Sequence, residues 1–150
     1  MAAFDRPFSF SGTHMILSQS AASAAVSALA TNAGTNAVLS VYSGTVPAGP
    51  DTALSGNTLL ASGTITSWGS PTYVSANGGM TSVGTFSAAS YSPAAAGTAT
   101  FARLSTSGGT AEQQLTVGTS GADVILGNTS IQTGTSVEMA FSLVVPSQSS

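Results

Sequence analysis

Between Ser136 and Val145 the chain alternates: Val137, Met139, Phe141, Leu143 and Val145 are apolar, with Glu138, Ala140, Ser142 and Val144 between them. A period of two sends successive side chains to opposite faces of an extended backbone, so one face of this segment is apolar throughout. A face of that kind has to be buried by other strands, and the sequence supplies them. Strand-like runs recur at Ala37–Ser43, Thr58–Thr66, Met80–Phe86, Thr98–Ser105, Gln113–Val117 and Asp123–Leu126. Between them stand Pro47-Ala48-Gly49-Pro50-Asp51, Asn77-Gly78-Gly79, Ser107-Gly108-Gly109 and Ser120-Gly121, residue types that reverse a chain because they tolerate tight or left-handed backbone. Many short strands at this spacing predict a mainly β fold, an antiparallel β-sandwich or jelly-roll-like barrel.

Two further zones precede the strands. Residues 13–33 carry Leu17, Ala21, Ala24, Ala25, Ala28 and Leu29 at helical spacing, with Thr13 or Ser11 as a cap and Gly34 as a stop. This predicts one N-terminal α-helix, its apolar face almost all alanine. Before it lies an extended arm, Phe4-Asp5-Arg6-Pro7-Phe8-Ser9-Phe10, holding half of the six Phe residues. Such an arm either folds back on its own domain or docks on a neighbour, where aromatic anchors supply much of an interface's energy. The chain therefore divides into an arm and Ala-rich helix over 1–34 and an antiparallel β-sandwich domain over 35–150. Ala28-Leu29-Ala30 is similar to a signal-peptidase site, but the polar Ser18, Gln19, Ser20 and Ser23 interrupt the stretch before it, so no cleaved signal is expected. No fixed-period repeat is present, which disfavours a solenoid.

Charge decides the class of function. Only 5% of residues are charged, against roughly 25% in ordinary globular chains. They are Asp5, Arg6, Asp51, Arg103, Glu112, Asp123 and Glu138, and there is no Lys. A nucleic-acid binder needs clustered cations to neutralise phosphates, and so does a protein held on anionic lipid; two arginines at a net charge of −3 supply neither. No apolar run reaches the ~18 residues of a membrane-spanning helix. Small neutral side chains cost little to desolvate and lose little rotamer entropy when covered, which suits a permanently assembled subunit.

The same inventory leaves little for chemistry. His14 is the only histidine, at the helix start, where a capping or surface role is expected. No G-x-S-x-G elbow flanks Ser18, Ser62 or Ser107. Asp51, Glu112, Asp123 and Glu138 fall in turns or on polar strand faces with nothing to mark a cleft for an acid–base pair. Gly118-Thr119-Ser120-Gly121-Ala122-Asp123-Val124-Ile125 loosely follows the calcium-binding nonapeptide pattern, in a single imperfect copy with Thr119 in place of the second glycine. Stacked copies are what complete such a site, so this segment is read as a turn into a strand, with Asp123 bonding local backbone. With no Cys there is no thiolate metal site. Trp68, followed by Gly69-Ser70-Pro71-Thr72-Tyr73, is either a core residue or, with Tyr73, an exposed aromatic anchor. The expectation is a non-enzyme with no catalytic residues, cofactor or metal, whose candidate interface residues are Phe4, Arg6, Phe8, Phe10, Trp68 and Tyr73.

The order of several motifs resembles a family of small tailed-phage virion structural proteins. Val41-Tyr42-Ser43-Gly44-Thr45-Val46-Pro47 is similar to its "hydrophobic-Y-x-G-x-x-P" strand end, and Asp51-Thr52-Ala53-Leu54-Ser55-Gly56-Asn57-Thr58-Leu59-Leu60-Ala61 to its "D-T-A-x-x-G-x-x-L-L-A" segment. Gly97-Thr98-Ala99-Thr100-Phe101-Ala102-Arg103 looks like "G-T-A-x-x-F-R" with Ala102 inserted, and Val117-Gly118-Thr119 through Val137 looks like the family's ending. The resemblance covers about 37–145 and implies a virion component assembled in the host cytoplasm. A capsid decoration (cement) protein leads: a homo-oligomer, for example a trimer, packed on the major capsid protein. A tail-tube, tail-terminator or fibre-associated subunit, and a carbohydrate-binding adhesion module, are the alternatives. The resemblance carries over no catalytic residues.

Overall fold

A computed structural model of the protein describes residues 16–149. The elements run α1 (Gln19–Ala33), β1 (Ala37–Ser43), β2 (Thr58–Trp68), β3 (Thr72–Val74), a 3-10 turn (Ser75–Asn77), β4 (Gly79–Phe86), β5 (Gly97–Thr98), β6 (Phe101–Ser105), β7 (Ala111–Leu115), β8 (Val117–Gly118), β9 (Val124–Leu126), β10 (Ser130–Ile131) and β11 (Met139–Pro146). The fold is mainly β with one helix near the N-terminus, as the periodicities predict.

The main sheet runs β7-β6-β1-β2-β4-β11-β9-β8, with β3 added beside β4, and β5 pairs β10 as a separate ribbon. The two ends of that path, β7 and β8, are consecutive in the chain, and only Thr116 lies between them. One bent strand thus pairs with β6 through Ala111–Leu115 and with β9 through Val117–Gly118. The sheet is a closed circuit. The closure is made through the chain at Thr116: β7 pairs on one side only, with β6, and β8 on one side only, with β9, while β3 has β4 as its single partner.

Changing partners part-way along a strand is what turns the sheet through its corners. β2 pairs with β1 from Thr58 to Ile65 and with β4 from Ile65 to Trp68; β11 pairs with β9 through Met139–Phe141 and with β4 through Ser142–Pro146. Bulges mark two of the bends, at Val41/Tyr42 opposite Leu60 and between Ile65 and Ser67. The first bulge turns Leu60 inward beside Ala61, and both are buried.

One expectation needs correction here. The sheet is mixed, because β8 and β9 are parallel, so it is not wholly antiparallel. Its connection, residues 119–123, is far shorter than a usual parallel crossover and is possible because only two residue pairs have to be aligned. The pairing also does not confirm a jelly roll.

The core lies inside the circuit. β1 contributes Ala37, Leu39 and Val41, β6 Ala102 and Leu104, β9 Val124 and Leu126, and β11 Met139, Phe141 and Leu143. Space inside is tight enough to exclude a side chain at position 63: a Cβ on Gly63 would lie 2.6 Å from Tyr91 Cε2 and 2.8 Å from Met139 Cε.

The helix packs on β4 and β11 and shares this core. Its start falls later than the sequence predicts. Ser18 accepts a hydrogen bond from the Ala21 N–H and caps it, while Leu17 is drawn into a parallel bridge with Ser147. Thr13 and Ser11, the expected caps, lie outside the described residues. The buried stripe is also different: Ala22, Val26 and Ala33 are buried, whereas Ala21, Ala24 and Ala28 are exposed. Alanine surrounds this helix on all sides, so spacing alone does not choose a face; Val26 does. The stop is as expected, with Gly34 at φ 77° donating its N–H to the Ala30 carbonyl.

Candidate interface and the hollow beside the helix

Of the expected interface residues, Phe4, Arg6, Phe8 and Phe10 lie outside the described residues, as do Asp5 and His14. Trp68 and Tyr73 are described, and both are half-buried against the core. Trp68 ends β2; its indole N–H donates to the Gly34 carbonyl at 3.2 Å, and its ring meets Phe141 edge-on at 6.0 Å between centroids. It therefore ties the end of the helix to the wall of the core. Tyr73 sits on β3, which the sequence reading missed: three residues after Pro71 are too few to show a period.

The described carboxylates are scattered. Asp51, Asp123 and Glu138 are exposed, and Glu112 is half-buried and accepts a hydrogen bond from the Asn32 side chain. Among the described residues no group of three or more His, Cys, Asp or Glu gathers, and no helix is long and apolar enough to cross a membrane.

Asp123 has a structural task. Its Oδ2 accepts from the Thr116 N–H at 2.9 Å and from the Thr116 hydroxyl at 2.8 Å, and the Asp123 N–H donates back to that hydroxyl at 3.0 Å. Thr116 is the residue at which the bent strand changes partner. The nonapeptide-like segment thus forms the lock on ring closure, reaching seven residues back instead of bonding only its own turn.

Arg103 is the only cation among the described residues, and it is 6% exposed. It projects from β6 beneath the long loop that joins β1 to β2. One terminal nitrogen donates to the carbonyls of Gly49 (2.9 Å) and Thr52 (2.7 Å) and to Gln114 Oε1 (3.2 Å), and Gln114 in turn donates to the Pro47 carbonyl at 2.7 Å. The guanidinium carbon stands 6.0 Å from the Phe101 ring centre, and Nε has no partner. All of these acceptors are neutral, so the cation serves to pin a loop. The sequence signal was present, a lone Arg inside Phe101-Ala102-Arg103-Leu104: a charge in an apolar strand is kept only where it is paired or bonded.

A hollow of about 630 Å³, open to solvent, lies between α1 and β7, β9 and β11. Its apolar lining comes from Leu29, Leu115, Ile125, Phe141, Leu143 and Val144, and polar lining from Asn77, Gln113 and Asp123. Leu29 belongs by spacing to the same stripe as Ala22, Val26 and Ala33, yet it is 38% exposed while those three are buried.

Comparison with family models, with curated proteins and with solved structures finds no match to the chain.

Proposed function

We propose that the protein is a phage virion structural subunit, a capsid decoration protein that packs as an oligomer on the major capsid lattice and stabilises it. The observation that carries this reading is the neutral exterior. Among the described residues the exposed charges are three carboxylates, and the single cation is buried under a loop. Ser, Thr, Ala and Gly cover most of the rest, so a partner surface can be laid against it with little desolvation cost. At high copy number, small contributions per contact add up through multivalency.

The motif order from Val41 to Val137 supports a virion origin independently of the exterior.

Cryo-EM of purified particles of the phage encoding the chain tests the reading. Density for this fold at many copies on the shell is the expected result. Its presence in the tail alone, or its absence from the particle, would overturn the assignment.

A further inference from the structure

We propose that Asn77-Gly78 is a site of self-modification, at which the chain's own backbone displaces the Asn77 amide nitrogen and converts the residue to aspartyl and isoaspartyl forms. Of the five Asn residues, Asn77 alone is followed by Gly. Ala follows Asn32 and Asn36, and the branched Thr follows Asn57 and Asn128. With no Cβ beside it, the Gly78 nitrogen is the least shielded nucleophile of the set.

The surroundings sharpen that ranking. Asn57 is held at both ends of its amide: Nδ2 donates to the carbonyls of Ser43 (3.1 Å) and Thr45 (2.8 Å), and Oδ1 accepts the Ser55 N–H at 3.2 Å. Asn128 Oδ1 accepts the Ser130 N–H at 2.9 Å. Asn32 lies in the last turn of α1 and bonds Glu112, and Asn36 leads directly into the buried Ala37 of β1. Asn77 makes one side-chain bond, from Nδ2 to Thr81 Oγ1 at 3.2 Å, and it is exposed together with Ser75, Ala76 and Gly78. These residues form the loop joining β3 to β4, where the Gly78 N–H donates to the Ser75 carbonyl at 3.1 Å. Attack requires that bond to open. β3 offers little resistance, because it has three paired residues and β4 as its single partner.

The step balances within the chain and water. The Gly78 nitrogen bonds to Asn77 Cγ and gives up its proton as the Cγ–Nδ2 bond breaks, so ammonia leaves and a cyclic imide remains. Water then opens the imide at either carbonyl. Either product adds a carboxylate to a chain of net charge −3, in the hollow that Asp123 also lines. The isoaspartyl product also routes the main chain through the side-chain methylene, which lengthens the loop by one backbone atom. β4 has no room to take up the slack: a Cβ on Gly79 would already stand 2.2 Å from the Val145 carbonyl oxygen. The slack therefore falls on β3, and Thr72, Tyr73 and Val74 lose their register with Thr81, Met80 and Gly79.

The test incubates the full chain at mildly alkaline pH, which favours the deprotonated nitrogen, and maps it by peptide fragmentation that separates aspartyl from isoaspartyl. Asn77 is expected to convert about tenfold faster than any other Asn, as the missing Cβ at residue 78 implies. No conversion, or conversion at Asn77 no faster than at the rest, would overturn the proposal. Amide exchange at residues 72–74 then separates charge from chain length. The isoaspartyl fraction is expected to lose protection there, whereas freshly prepared Asn77→Asp, which gains the charge without the extra backbone atom, is expected to keep it. Full protection in the isoaspartyl fraction, or equal loss in Asn77→Asp, would overturn the release of β3 by loop lengthening.

Discussion

The Asp123 carboxylate holds Thr116 by both its N–H and its hydroxyl, at 2.9 and 2.8 Å, and thereby fixes the single residue through which the strand circuit closes. Hydrogen bonds donated to a carboxylate are stronger than neutral ones, although solvent access at this exposed pair weakens them. Asp123→Ala is expected to cost about 1 kcal/mol, a fall of about 2–4 °C in Tm for a chain of this size. Amide exchange should rise at Val117 and Gly118 while that of β1 stays slow. Uniform loss of protection across the sheet would show that the pair is not a local lock.

Arg103→Met keeps the stem of the side chain and removes the donors, leaving the Gly49 and Thr52 carbonyls without them. The expected cost is about 2–3 kcal/mol, since acceptors that lose a charged donor keep their desolvation penalty. Limited proteolysis is the sharper measurement: cleavage between residues 45 and 57 should accelerate at least tenfold. Arg103→Lys is expected to fall between, because the lysine ammonium stands one bond nearer the backbone than the guanidinium nitrogen that makes all three bonds.

Gly63→Ala introduces a methyl group where Tyr91 and Met139 already stand. Met139 can move; the Tyr91 ring is held by its hydroxyl, which lies 3.0 Å from that of Ser87 and accepts the Ala88 N–H at 3.1 Å. Overpacking of this kind costs about 1–3 kcal/mol. Denaturant unfolding should show a lowered midpoint with the slope unchanged, and Tyr91→Phe should recover part of the loss by freeing the ring.

Trp68→Phe retains a ring against Phe141 but leaves the Gly34 carbonyl without its indole donor. A loss of about 1 kcal/mol is expected in chemical denaturation. In the unmodified chain, half-burial of this lone Trp predicts partial protection from an aqueous quencher. Full quenching at the rate of free indole would contradict the packing.

Much of the sheet was legible because it is local. β1 spans the residues the sequence assigned it, and the Met139–Leu143 row faces the core as its alternation requires. Val137 belongs to that alternation but leaves the strand to pair with Tyr91, a partner no periodicity names. The helix ran too far back in prediction because Met15, Ile16 and Leu17 do not oppose helix; among the described residues, Leu17 is instead held in a tertiary bridge to Ser147. Closure was illegible for the same reason. Nothing in Gln113–Val117 says that its two ends pair with different strands, and Asp123 looks like any turn carboxylate until Thr116 is placed beside it. Arg103 could have been singled out, since a cation within an apolar strand is itself a statement about its surroundings.

The joint at Thr116 also sets how this protein ages. Around the circuit, β8 and β9 share the fewest paired residues, two, and they lie next to an exposed turn. A ring fails at its shortest seam, so warming or long storage springs β8 from β9 before the Leu39–Leu104 layer is disturbed. Each opening bares the edges that β8 and β9 present to one another. Precipitation should therefore follow the rate of that opening, and strengthening the seam would lengthen shelf life more than improving the core.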